Sequence, residues 1–311
     1  MTYPVVDVSA WEVLGFEPMG SKPGKIWLAV SPGLHVAEGR WLFKPTTTQV
    51  EHDRQFLKGD DWAEKIASET ATLLGVPAAP VELAIRHDQL GIISGDVSAG
   101  WELVLGNEVL HGQDPDYDRG RRRGVPGYTI EAVFAALRSL DVSPPTGSPD
   151  VDASLVFAGY LLLDALVANT DRHHENWGVL VDPNGEERTQ LARTFDHASC
   201  LGFQLSDDER AEHLQTNDAN RTVGAYAARG RSRHFAAGPS LVDLAVEAIA
   251  ACGHEARSDF RARLQKMDDE HLAAVAAAVP VGRMSQPSRM FSTRLMGENR
   301  RRLLNELERA D

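Results

Sequence analysis

The chain has 311 residues, 42% hydrophobic and 25% charged, the composition of an ordinary globular protein with room for one large domain or two lobes. Its 45 acidic and 32 basic side chains give a formal charge of −13, which argues against direct nucleic-acid binding and against an anionic membrane surface as a partner. Cys200 and Cys252 fit no metal or disulfide spacing, and the first residues show no basic region ahead of an apolar core, so the expected setting is cytoplasmic.

In chain order, the first expected elements are extended. Ile26 to Val30 reads as an apolar strand, followed by the turn Ser31-Pro32-Gly33. Arg40 to Lys44 is its partner in a hairpin, closed by Pro45. Asp60 to Leu74 has Trp62, Ile66, Ala67, Thr70, Leu73 and Leu74 at helical spacing, with Asp60 or Asp61 as the expected cap and Gly75-Val76-Pro77 as the stop. Val81 to Ile85 and Gly91 to Ser94 are two further short strands.

Beyond residue 100 the character turns helical. His111 to Gly127 reads as a polar loop containing the basic run Arg119 to Gly124, a solvated loop or a seat for an acidic substrate or nucleic acid. Thr129 to Leu140 is an amphipathic helix. Leu155 to Val167 is apolar on almost every side, too short to span a bilayer and interrupted by Asp164, so it is expected to be a buried helix. Helices rich in Ala, Leu, Arg and Glu fill the tail from Leu241. The expected fold class is α+β and two-lobed: a β-rich N-lobe over residues 1–100 and a larger, mostly helical C-lobe over residues 101–311.

Asn169 to Asn176 follows the buried helix as a polar loop, NTDRHHEN. The strand Val179 to Val181, the turn Asp182-Pro183-Asn184-Gly185 and a return strand Leu191 to Phe195 then deliver Asp196 beside that loop. Asp171, Asn176 and Asp196 would thereby supply two carboxylates and an amide oxygen, hard donors suited to magnesium that also binds substrate phosphates. Phosphoryl transfer needs little more: a carboxylate to orient the attacking hydroxyl and a cation on the nucleotide phosphates. Lys44 is the candidate cation and Glu64, on the following helix, its partner. The adjacent His173 and His174 would point apart, which disfavours a zinc site with His197; His173 is expected to pin the loop through a backbone hydrogen bond. Arg172 would neutralise phosphate or pair with a nearby acid.

These elements resemble the HipA-like branch of the protein-kinase-like fold, whose catalytic loop reads N-x-D-x-H-x-x-N, here Asn169, Asp171, His173 and Asn176. Thr194-Phe195-Asp196-His197 is similar to the family's metal-binding element. Trp41 to Pro45 is similar to its lysine strand, and Glu64 with Leu74-Gly75-Val76-Pro77 to its helix and following turn. The resemblance implies an ATP- and magnesium-dependent serine/threonine protein kinase. Asp171 would orient the acceptor hydroxyl, Asn176 and Asp196 would bind Mg2+, and Lys44 would contact the phosphates. The phosphate-covering loop would lie between Gly15 and Gly24, with Gly20, Ser21 and Lys22 offering backbone N–H groups and Ser21 as a candidate self-phosphorylation site. The implied partners are a protein substrate and an antitoxin-like protein. A small-molecule or phosphoinositide-type kinase, or a non-catalytic binding module, are the alternatives.

Overall fold

The computed structural model describes residues 2–17, 24–30, 39–51, 54–149 and 151–309. The first part of the chain forms strands β1 (Val5–Asp7), β2 (Glu12–Phe16), β3 (Ile26–Ala29), β4 (Arg40–Pro45), β5 (Thr48–Glu51) and β6 (Arg54–Leu57), then helix α1 (Asp60–Leu74), then β7 (Val81–Arg86) and β8 (Gln89–Gly95). Six of these strands make one sheet, ordered β1-β7-β8-β4-β3-β2, in which β1 runs parallel to β7 and the other neighbours are antiparallel. The expected β3–β4 hairpin pairs Ile26 with Phe43 and Leu28 with Trp41. The turn expected at residues 31–33 lies outside the described residues.

Alternation along β4 sorts its side chains. Trp41 and Phe43 join Ile26, Leu28, Ala84 and Ile93 in a small core on one face of the sheet. Leu42 and Lys44 therefore point to the opposite face, toward α1 and the rest of the chain. Helix α1 has the expected span but a different cap. Its N-cap is Gly59, with no side-chain hydrogen bond. Asp60 instead accepts from the backbone N–H and hydroxyl of Thr47, and Asp61 pairs with Arg283. Helix α1 ends as expected at Gly75, in the left-handed region at φ 66°. Leu73, expected on the apolar face, is exposed.

The second part contains β9 (Glu102–Leu105), α2 (Gly106–Gln113), α3 (Ile130–Ser139), α4 (Ala153–Val167), β10 (Gly178–Val181), β11 (Gln190–Leu191), α5 (Asp207–Gln215), α6 (Val223–Ala228), α7 (Leu241–Ala251), α8 (His254–Lys266), α9 (Asp269–Ala277) and α10 (Gln286–Arg309). Helix α4, apolar all round, is the buried centre, with α3, α7, α10 and α1 packed about it. Strands β11, β10 and β9 form a small antiparallel sheet beside it. Helix α2, for which no element was expected, runs at its end into the stretch expected to be loop from His111, and its Val109 and Leu110 bury in the main core. The return strand expected over residues 191–195 is shorter, pairing at Gln190–Leu191 only. After Leu191 the chain leaves the hairpin, and Thr194 bridges to Ala78, just after α1. The architecture is thus α+β and two-lobed, a β-rich part with one helix against a larger helical part. Among the described residues, no helix is long and apolar enough to cross a membrane.

Candidate active site

A cleft of about 700 Å³ separates the cleft-facing side of the sheet from the helical part. Lys44, Glu64, Asp171, Asn176 and Asp196 all line it, so every expected site residue within the described residues meets in one place. Gly20, Ser21 and Lys22 lie outside the described residues. Gly15, the first residue of the expected phosphate loop, belongs to strand β2.

Lys44 sits on β4 where alternation turns its side chain into the cleft. Its Nζ donates to Glu64 Oε1 at 2.9 Å and to Asp196 Oδ1 at 3.0 Å. Burial works to strip the ammonium of its proton, but the Asp196 and Glu64 carboxylates outweigh it and hold the pKa above the usual lysine value. Glu64, 1% exposed, is fixed by α1, whereas Asp196 is 33% exposed to the cleft. The lysine thus joins a rigid carboxylate to an accessible one. Lys25, just before β3, places its Nζ 3.9 Å from Asp196 Oδ2. It lies one residue beyond the Ile26–Phe43 pair, and extending the hairpin register would have placed it beside Lys44.

The loop carrying Asp171 and Asn176 is anchored from behind. Helix α4 ends at Ala168 in the left-handed region, and Asn169 N–H donates to the Asp164 carbonyl at 2.8 Å. Asp164, the one acid in the apolar helix, is 2% exposed. Its carboxylate takes Arg172 Nε at 2.7 Å and Nη2 at 2.9 Å, and Asn169 Nδ2 at 2.8 Å. Arg172 Nη1 then donates to the Asn176 carbonyl at 2.6 Å. This bidentate pair holds both ends of the loop. Of the two sequence readings for Arg172, pairing with an acid is the one observed.

Within the loop, Asn176 Nδ2 donates to the Asp171 carbonyl at 2.8 Å, which commits the amide nitrogen and leaves its oxygen to act as an acceptor in the cleft. Asp171 Oδ1 lies 2.8 Å from His234 Nε2, and Oδ2 accepts from Ser199 Oγ at 3.1 Å. Burial acts to raise the Asp171 pKa; hydrogen bonding from His234 and the nearby His173 more than offset it, leaving the carboxyl below its ordinary range. Asp196 itself adopts φ 59°, an uncommon conformation for a non-glycine residue.

The histidines divide the roles that were expected of one. His173 lines the cleft, and its Nδ1 accepts from the Glu175 N–H at 3.2 Å, so it does bind the loop backbone, but from the open side. His174 is the core histidine, fully buried with Tyr117 Oη 2.8 Å from its Nδ1. His197 is buried as well and meets Thr194 Oγ1 at 2.9 Å. Burial pushes His173 and His174 each down to about 4. Sequence reasoning missed His234 altogether. It lies 63 positions after Asp171, and only the tertiary fold brings it there.

No protein-family model and no curated protein matches the chain by sequence. Solved structures do match it in shape. A Helicobacter pylori proinflammatory kinase, CtkA, superposes over 99% of this chain and 97% of its own, with a TM-score of 0.77 and 18% identity. A structure of the Shewanella oneidensis MR-1 toxin–antitoxin system, HipA and HipB with operator DNA, matches 99% of this chain and 67% of the other, with a TM-score of 0.53 and 14% identity. The fold implied by the sequence resemblance is the fold found.

Proposed function

We propose that this chain is an ATP- and magnesium-dependent phosphotransferase and, within that class, a HipA-like serine/threonine protein kinase. One observation carries the reading: Lys44 bridges Glu64 and Asp196 in the same cleft that holds Asp171 and Asn176 on a loop anchored by a buried ion pair. The cleft also has apolar walls, including Leu42, Ile92, Leu103 and Phe195, suited to a nucleobase.

The donor set fits magnesium. Asp196 offers a carboxylate and Asn176 an amide oxygen, and two protein oxygens with phosphates and water are a common magnesium environment. When bound there, the metal would neutralise charge on the nucleotide phosphates. Lys44 would exchange part of its contact with Asp196 for phosphate oxygens. Asp171 would orient the acceptor hydroxyl and receive its proton. An antitoxin-like protein partner belongs to the proposal through likeness to the HipA–HipB structure.

Transfer of labelled phosphate from ATP is the test, offered to a protein pool and, separately, to a panel of small alcohols. Asp171→Asn should abolish transfer and largely keep nucleotide binding. Asp196→Asn should lose both transfer and magnesium-dependent binding. Labelling of the alcohols alone would replace the protein-kinase reading with a small-molecule kinase. Absence of ATP turnover in the wild type would leave only a binding module.

A further inference from the structure

Resting on the phosphotransferase reading, we infer that His234 is a positioning residue for the base. It clamps Asp171 Oδ1 from a buried seat and assigns proton acceptance from the substrate hydroxyl to Oδ2, the oxygen held by Ser199.

The ring of His234 stands between two acceptors. Its Nδ1 hydrogen-bonds the backbone carbonyl of Arg122. A carbonyl oxygen only accepts, so Nδ1 carries a hydrogen. Its Nε2 lies 2.8 Å from Asp171 Oδ1. Both ring nitrogens thus meet an oxygen, and the ring is fixed between the Arg122 carbonyl and the base. Two other histidines and an arginine face this ring: His173, with ring centroids 5.3 Å away, His174, and Arg122.

The two carboxylate oxygens are thereby made unequal. His234 is 4% exposed, so Oδ1 is closed to substrate on that side. Oδ2 is held by the hydroxyl of Ser199, and both residues border the cleft. An acceptor hydroxyl arriving at Oδ2 exchanges one O–H donor for another, which leaves the carboxylate satisfied throughout. In the transfer, the acceptor oxygen bonds to the γ-phosphorus. The bond from that phosphorus to the β–γ bridging oxygen breaks, and its electron pair leaves with ADP. The acceptor's proton ends on Asp171 Oδ2. His234 does not touch the reacting atoms; it fixes the carboxylate plane so that Oδ2 faces them.

The alternative is that His234 merely bolts the Arg119–Gly124 loop to the segment around residue 234. Wild type, Asp171→Asn, His234→Ala and His234→Gln would be compared in transfer from ATP to dephosphorylated casein, alongside thermal unfolding. Loss of carboxylate alignment predicts that His234→Ala lowers kcat roughly ten- to hundredfold with KM for ATP unchanged. Gln, which can still donate to Asp171, should recover part of the loss at an unfolding temperature close to that of Ala. A bolt predicts instead that kcat is kept while the unfolding temperature falls, and that result would overturn the inference. If His234→Ala does not fold, His234→Gln decides alone: a kcat below wild type with KM for ATP unchanged is the expected result, and a wild-type kcat overturns the inference. Failure of the phosphotransferase reading is seen separately, as a wild type that turns over no ATP.

Discussion

Asp164 shows how far one residue's meaning depends on its partners. In the sequence it is a charge breaking an apolar helix, with nothing nearby to explain it. In the fold it is 2% exposed and takes three hydrogen bonds, two from Arg172 and one from Asn169. Breaking a buried pair by removing one partner leaves an uncompensated charge and costs about 3–5 kcal/mol. Arg172→Met should therefore lower the urea midpoint sharply and stop transfer. The double variant Asp164→Leu with Arg172→Met should regain most of the stability, because an apolar pair is often as stable as the ionic one. It should not regain transfer, since the Asn176 carbonyl still lacks its donor. Recovery of activity together with stability would show that Arg172 only packs. The cysteines allow a cheaper check. Burial pushes the Cys200 thiol well above its usual value and Cys252 up to about 11. A thiol reagent at pH 8 should label Cys252 slowly and Cys200 only as fast as the protein unfolds.

Among the elements, those with strong periodicity were legible: α1 and α4 end where their patterns end, and the β3–β4 hairpin has its expected partners. The short edge elements were not. Strands β1 and β2 owe their order to pairing with β7 and β3, which no local pattern announces. Helix α2 was hidden for a similar reason, and it matters more, because its first turn supports the site loop. Gly106 N–H donates to the Trp177 carbonyl at 2.8 Å, and Asn107 N–H to the His174 carbonyl at 3.0 Å. A Cβ added at Gly106 would stand 2.1 Å from the Trp177 indole and 2.6 Å from the His174 carbonyl oxygen. Neither the buried ring nor the backbone can yield cheaply. Gly106→Ala should cost about 1–3 kcal/mol in a denaturation curve, as overpacking does. The same shift would move the loop between Asp171 and Asn176, so transfer should fall further than stability alone explains. Unchanged kcat in a destabilised Gly106→Ala protein would refute that support.

For the molecule as a whole, the parts that sequence pattern separates are physically joined. Helix α1 lies early in the chain, yet Trp62, Ile66 and Leu74 pack in the same core as α4 and the last helix. Arg283, ahead of α10, places Nη2 2.7 Å from Asp61 Oδ2 and donates to the carbonyls of Ala84 and Gly91. One guanidinium thus ties the end of the chain to both α1 and the sheet, a contact 222 positions apart that no motif records. The site was legible because its residues keep a fixed order along the chain; its surroundings were not, because His234, Asp164 and Arg283 act through distance in space. A joined fold with its cleft between the parts should gain stability from whatever bridges that cleft. At one hundred times its Kd a ligand that binds only the folded state adds about 2.7 kcal/mol. At roughly 2 °C per kcal/mol for a chain of this size, ATP with magnesium should raise the unfolding temperature by about 5 °C. Chelating the metal should remove much of that rise in the wild type. In Asp196→Asn the rise should be small with or without metal, because the carboxylate that would hold it is gone. An equal rise in EDTA and in magnesium would refute the metal role assigned to Asp196 and Asn176 while leaving nucleotide binding intact.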